Sequence, residues 1–371
     1  MKSISTLIDT YKNVVVQIAT PYSTGTGFFL SEYKLIVTNE HVVRGNREVV
    51  IASPAFKKQI VKVLYVDPTY DLAFLSLPKD HRMDTVSINP DISVAQGEKV
   101  IAVGHPFGLK YTATQGIVSS LLHEQNDINY IQHDAALNPG NSGGPLIHKT
   151  GSIMGVNTFI IQNGNNIGFS LPVKYLKKTL DEYVNGDKEL GVRCNACKNI
   201  AFEEEKTISF CPHCGADMIM ISDIEIYEAT GINKTIESML LALGFDTDLS
   251  RRGPNNWEIV EGSAIINISY YHKTGLIIGD AYLCSLPKEN IKELYEFLLR
   301  TNYNLESVTF SVRNQDIILS LLIFDQYLNV EIGTKLMKHL FERADHFDDI
   351  LIDEYGAIKK VDYKIIEDHE I

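Results

Sequence analysis

NPGNSGGPLI, Asn138 to Ile147, sets three glycines and two prolines around one serine in sequence that otherwise reads as strand. A serine hydroxyl is a weak nucleophile at neutral pH. It needs a histidine to take its proton, a carboxylate to orient that histidine, and backbone N–H groups where negative charge develops on the attacked carbonyl. Glycines beside the serine permit a tight loop whose N–H groups converge, in conformations a side chain forbids. Ser142 is therefore a candidate nucleophile. A turn residue or a helix cap would fit the same letters, and the surrounding chain has to decide.

Outward from this loop, residues 12–172 are a succession of short β-type runs, among them NVVVQIA, GFFL, KLIVTN, EVVIAS, VKVLYV, LAFLSL, KVIAVG, GIVSSLL, PLIH and IMGVNTFII. Glycines and prolines punctuate them, and many short strands at close spacing predict an all-β barrel or sandwich. A short amphipathic helix, PVKYLKKTLDEYV, closes this region and stops at Asn185-Gly186. Two upstream residues could serve Ser142. His41 follows the strand of LIVTNEHVV, and Asp71 opens the strand of YDLAFLSL. Both stand at strand ends, where loops display functional groups on a rigid scaffold. Taken alone, His41 could equally be a structural histidine and Asp71 a strand-start cap. His105, His133, His148 and His213 have no comparable context and read as structural or surface residues.

Six pieces in order, GTGFFLSEYKLIVTNEHVV, YDLAFLSL, VGHPFGL, GIVSS, QHDAALNPGNSGGPLI and IGFSLPV, resemble the trypsin-like protease domain and within it the HtrA (DegP/Deg) type. The resemblance covers about residues 12–185. It implies a double six-stranded β-barrel with the site in the cleft between barrels. In that frame His41 is the general base, Asp71 the orienting carboxylate and Ser142 the acyl-forming nucleophile. Gly140 and Ser142 would supply the oxyanion N–H groups. The resemblance also implies that NIGFSLP is an edge strand, with Gly168, Phe169 and Ser170 pairing with substrate backbone. Ala136, six residues before Ser142, would floor the primary pocket without a charge, which predicts cleavage after small or medium apolar residues. The segment LLHEQNDIN, Leu121 to Asn129, is the expected gating loop. Such proteases usually continue into PDZ domains, but no carboxylate-binding glycine loop follows residue 186 here. A different class of function stays open: a silent trypsin-fold adaptor that binds partners without cutting them.

Charge divides the chain. Residues 1–185 carry 16 Lys+Arg against 15 Asp+Glu, whereas the remainder carries 18 against 32, so acidity concentrates in the second half. Such a field repels phosphates and disfavours nucleic acid as a partner. The longest apolar run, Ile317 to Phe324, is far too short to span a bilayer. The start, MKSISTLIDTYKN, lacks the continuous apolar stretch of a secretory signal, which leads us to expect a cytoplasmic, bacterial protein.

Four of the five cysteines form two CxxC pairs, Cys194/Cys197 and Cys211/Cys214, separated by 13 residues. Paired thiolates at this spacing can complete a tetrahedral zinc site, and Gly215 suits the knuckle turn after the second pair. Two disulfides or a redox centre are the alternatives; a reducing compartment argues against stable disulfides. With four protein ligands the zinc would be structural, and the chemistry at Ser142 needs no cofactor. The intervening AFEEEKT is acidic and again argues against nucleic-acid contact. Lone Cys284 reads as a buried small hydrophobe.

Residues 223–371 alternate helix and strand, with a hairpin expected around Asn314-Gln315-Asp316 and a long final helix. LYEFLLRTNYNLESVTFSV and LMKHLFERADHFDDILIDEYG resemble the YbjN-like relatives of type III secretion chaperones. This implies an α/β sandwich with an antiparallel sheet that binds a protein regulator or dimerises. The expected organisation is thus a protease-like domain at 1–186, a zinc ribbon at 187–222 and an α+β domain at 223–371.

Overall fold

The computed structural model describes residues 3–105, 111–160, 167–186, 190–203, 210–261 and 264–359. Part of the VGHPFGL motif and most of the acidic stretch between the cysteine pairs lie outside these. The chain forms two compact units, Met1–Tyr227 and Glu228–Ile371.

The first unit opens with helix α1 (Ile4–Lys12) and a barrel of six strands: β1 (Val15–Ala19), β2 (Thr24–Leu30), β3 (Leu35–Thr38), β4 (Glu48–Ser53), β5 (Phe56–Asp67) and β6 (Leu72–Leu75), with the single-turn helix α2 (Glu40–Val43) after β3. The order is β5-β4-β1-β2-β3-β6, and β5–β6 pairing closes it. β1, β3 and β6 are buried along their whole length, which a sheet with one wet face would not allow. The strand period of two explains it. Leu35, Val37, Leu72 and Phe74 face the core shared with the second barrel, whereas Ile36, Ala73 and Leu75 fill the interior of the first.

The second barrel contains β7 (Lys99–Gly104), β8 (Thr112–Gln125), β9 (Ile128–His133), β10 (Pro145–His148), β11 (Ile153–Ile160) and β12 (Gly168–Pro172), closed in the order β10-β11-β12-β9-β8-β7. The same alternation holds: Val100 and Ala102 point inward, Ile101 and Val103 toward the shared core. Helix α3 (Val173–Asn185) buries Leu176, Leu180 and Tyr183 in that shared core.

Two expectations are corrected here. Leu121–Asn129 is not a loop. It is the tip of the β8–β9 hairpin, where Gln125 pairs with Ile128 across Asn126 and Asp127, at φ 53° and 62°. Two successive left-handed residues make the tight turn that matches strand twist, and Asn and Asp tolerate that region best. Nor is β12 an edge strand. Gly168, Phe169 and Ser170 pair with Ile160, Phe159 and Asn157 on one side and with His133, Gln132 and Ile131 on the other. Barrel closure uses both of its edges.

The cysteine segment does not stand apart from the first unit. β13 (Gly191–Arg193) pairs in parallel with Tyr65 and Val66 of β5, along the edge that β4 leaves after Lys62, and β14 (Ile200–Phe202) pairs with β13. The boundary between compact units falls after Tyr227, whose ring packs edge-on to Tyr22 at 5.7 Å.

The second unit is an antiparallel sheet of β15 (Arg251–Gly253), β16 (Asn256–Glu261), β17 (Ala264–Tyr271), β18 (Leu276–Ser285), β19 (Val308–Arg313), β20 (Asp316–Phe324) and β21 (Ile358–Lys359). Helices α4 (Gly231–Ala242), α6 (Ile291–Asn304) and α7 (Val330–Asp353) share one core with it, and the short α5 (Thr247–Ser250) precedes β15. Ile266 and Ile268 of β17 and Ile317, Leu319 and Leu321 of β20 meet Met337, Leu340 and Phe347 of α7 there. The hairpin at Asn314-Gln315 forms, with Arg313 opposite Asp316.

Candidate active site

His41 is carried by α2, directly after the buried end of β3. Its backbone N–H donates to Asp71 Oδ1 at 3.0 Å, and its Nδ1 lies 2.8 Å from Asp71 Oδ2. Asp71 sits at φ 52°, a left-handed conformation that an L-residue holds only when neighbours impose it. Asn39 Nδ2 donates to its carbonyl at 2.7 Å. With the Nδ1 proton given to Asp71, the Nε2 lone pair is left to accept a proton. The imidazole is about one-third exposed, so that nitrogen is accessible.

Ser142 lies on a loop built by its glycines. Asn141 N–H donates to Asn138 O at 3.0 Å, closing a turn with Pro139 at its second position and Gly140, φ 103°, at its third. Gly143 N–H donates to Asn157 O and Gly144 N–H to Asn141 O. The N–H groups of Gly140 and Ser142 find no acceptor among the described residues. The amides of Asn141, Gly143 and Gly144 are thus spent on the loop, while those of Gly140 and Ser142 stay open as donors.

Packing brings this loop to His41. Ser142 O accepts from Thr26 N–H at 2.9 Å. At Gly143, φ 84°, a Cβ would lie 2.2 Å from Thr26 O, 2.3 Å from Thr38 Oγ1 and 2.9 Å from Asn39 N. Only glycine lets Ser142 approach the start of α2. The Ser142 hydroxyl itself donates to Thr158 O at 3.2 Å, and no Ser142–His41 hydrogen bond forms. Thr158 is skipped by the β11–β12 register, which passes from Asn157 to Phe159. Its carbonyl is therefore turned out of the ladder toward Ser142. Sequence reasoning missed this group, because a bulge in a strand of ordinary letters leaves no mark.

The residues assigned to substrate behave differently. Ala136 is half-buried, and its carbonyl accepts from Thr114 Oγ1 at 2.8 Å. Ser170 is fully buried and its hydroxyl donates to Asn157 Oδ1 at 2.9 Å. It must then accept from His133 Nε2, 3.0 Å away, which fixes that ring as the Nε2–H tautomer. Burial pushes His133 down to about 4. Ser170 and His133 are thus joined inside the barrel wall.

The four cysteines converge. Their sulfurs all lie within 4.8 Å of one another, with Cys194–Cys214 and Cys197–Cys211 each at 3.7 Å. Zn–S bonds of about 2.3 Å at tetrahedral angles place sulfurs about 3.8 Å apart, whereas a disulfide needs about 2.05 Å. None of the five cysteines is in a disulfide. The two knuckles have the same form. Lys198 N–H donates to Cys194 O as Gly215 N–H does to Cys211 O, and both donors are left-handed, at φ 65° and 76°. The Cys197 N–H pulls the Cys194 thiol down to about 6. Cys214 goes up to about 12: the Ala216 N–H favours its thiolate, but burial and the neighbouring sulfurs outweigh it. Four cysteine sulfurs at this spacing could hold a metal ion. His213 turns away, its Nε2 lying 3.2 Å from Ile200 O.

Residues 25–156 match the model of the trypsin-like peptidase domain. Serine protease HTRA2, mitochondrial, of Bos taurus is 40% identical over 167 residues, 43% of this chain and 36% of that protein. A probable periplasmic serine endoprotease DegP-like of Chlamydia trachomatis is 35% identical over 168 residues, 43% of this chain and 34% of its own length. A crystal structure of the serine endoprotease from Yersinia pestis superimposes with a TM-score of 0.46 at 28% identity, over 52% of this chain and 70% of that one. The chain spans about a third of the length of the curated relatives it matches.

Proposed function

We propose that the first unit is a serine endopeptidase. His41 Nε2 takes the Ser142 proton as Oγ attacks a peptide carbonyl, and the oxyanion is met by the N–H groups of Gly140 and Ser142. The imidazolium, stabilised by Asp71, returns the proton to the leaving amine, and water then cleaves the acyl-serine by the same route. The observation that carries this reading is the 2.8 Å contact of His41 Nδ1 with Asp71, on a helix whose start the glycine-built serine loop packs against. The Ser142 hydroxyl must first rotate from Thr158 O to His41. That rotation frees the Thr158 carbonyl, beyond the last β10–β11 pair, to accept a substrate N–H. The uncharged Ala136 supports cleavage after small or medium apolar residues.

A fluorophosphonate probe tests the reading: the native chain should be labelled and Ser142→Ala should not. The second reading, a silent adaptor, is favoured by the Ser142–Thr158 bond itself. Absence of label on native protein, with binding partners still captured by Ser142→Ala, would establish it.

We further propose that Cys194, Cys197, Cys211 and Cys214 hold one structural zinc, which would constrain the two knuckles and contribute to folding. Elemental analysis returning no zinc from freshly isolated protein would reject this. A cytoplasmic setting is part of this reading, and cell fractionation tests it. The acidic second unit, with its YbjN-like helix and strand order, would recruit a substrate, a regulator or a second copy. Pull-downs with residues 228–371 that return nothing above background would remove that role.

A further inference from the structure

We propose that Arg193 is a positioning residue that couples the four-cysteine knot to the turn carrying Asp71. The inference rests on the reading of Asp71 as the carboxylate that orients His41. Its starting point is the strain at Asp71, whose left-handed backbone has to be held from outside. Asp67 holds it. One of its oxygens accepts the N–H groups of Thr69 and Tyr70, each at 3.0 Å, and so shapes the turn that delivers Asp71.

Asp67 is completely buried, and burying a carboxylate is costly unless a cation is paired with it. The cation is Arg193, whose Nε lies 2.6 Å from Asp67 Oδ2. The Tyr65 hydroxyl donates to the same oxygen at 2.9 Å. The guanidinium also lies over the ring of Tyr70, 5.5 Å from its centroid, one residue before Asp71.

The other end of Arg193 belongs to the knot. The residue directly precedes Cys194, and its Nη1 donates to Lys198 O at 2.7 Å. Lys198 closes the first knuckle through its N–H bond to Cys194 O. Nη2 reaches Glu182 of α3 at 2.5 Å. A planar guanidinium meets the three acceptors from three separate nitrogens, a spread that the single nitrogen of an ammonium lacks. A cation among the four sulfurs would hold the knuckle, the knuckle holds Arg193, and Arg193 holds Asp67 in place under the turn.

Hydrogen–deuterium exchange on the full chain, read by mass spectrometry over the peptide 66–72, measures the coupling without reference to activity. In zinc-loaded native protein the Thr69 and Tyr70 amides should be protected, and chelation should speed their exchange at least ten-fold. In Arg193→Gln the peptide should already exchange fast with zinc bound, and chelation should add nothing. Arg193→Lys should lie between. The low-field proton resonance of His41 Nδ1–H should shift or broaden on chelation in native protein and stay unmoved by chelation in Arg193→Gln. Should Arg193→Gln not fold, Cys214→Ser, at an exposed position of the knot, and Arg193→Lys make the same comparison. Chelation that frees the knot while peptide 66–72 keeps its protection overturns the proposal. Fluorophosphonate labelling is a separate arm: coupling without labelling removes the protease reading alone, and labelling without coupling removes the role of Arg193 alone.

Discussion

Gly143→Ala tests the packing that brings the serine loop to the histidine. The substitution forces an L-residue to φ 84° and drives its Cβ to 2.2 Å from Thr26 O and 2.3 Å from Thr38 Oγ1. Those two atoms are bonded to each other at 2.7 Å, so neither can retreat without breaking a buried hydrogen bond. Left-handed strain costs about 1 kcal/mol and overpacking about 1–3 kcal/mol, for a total of about 2–4 kcal/mol. In a unit of this size each kcal/mol lowers the melting temperature by about 2–4 °C, so a drop of about 4–16 °C is expected. Gly97→Ala is the control: its φ is 87°, but nothing lies within 4 Å of the added methyl, so only the strain remains. Calorimetry measures both. The lone tryptophan, Trp257, sits in the second unit, so its fluorescence identifies which transition to set aside. Fluorophosphonate labelling below the transition should fall by about 100-fold in Gly143→Ala, as for a nucleophile displaced by about 1 Å, and stay unchanged in Gly97→Ala. Equal melting of the two variants, or unaltered labelling in Gly143→Ala, would refute the claim that this contact positions Ser142.

Asp71→Asn should retain the fold and lower the labelling rate by roughly 10,000-fold, because an amide favours the wrong imidazole tautomer; a loss under ten-fold would remove Asp71 from the mechanism. His133, neutral in the fold with its value depressed from 6.5 to about 4, should make the first unit acid-sensitive. The unfolded chain takes up this proton first, so the contribution is full above pH 6.5 and is lost as pH falls toward 4, amounting to about 3 kcal/mol. His133→Gln should flatten that part of a stability–pH curve, and an unchanged slope would contradict the assignment. A chain ending at Tyr227 should keep the labelling rate of the full protein. One ending at Gly186 loses Arg193 over the buried Asp67, which should destabilise it by about 3–5 kcal/mol; equal melting of the two truncations would be the contrary result.

Much of this protein was legible as a string of residues. The short strands, the order of His41, Asp71 and Ser142, the paired CxxC knuckles and the helix–strand alternation beyond residue 223 are all local patterns. They arise because burial alternates with a period of two along a strand, because glycine alone tolerates certain turns, and because thiols two residues apart can face one ion. What escaped the reading depends on neighbours far away in the chain. Whether β12 keeps a free edge is settled by barrel closure and not by its own letters, and the gating loop became a hairpin once Gln125 met Ile128. The release of the Thr158 carbonyl needs a bulge against β12. Arg193 finds Asp67 across 126 residues of chain, from a three-residue strand too short for any periodicity. A charge can enter a core only where tertiary packing supplies its opposite, and that pairing is written in the fold rather than in either segment.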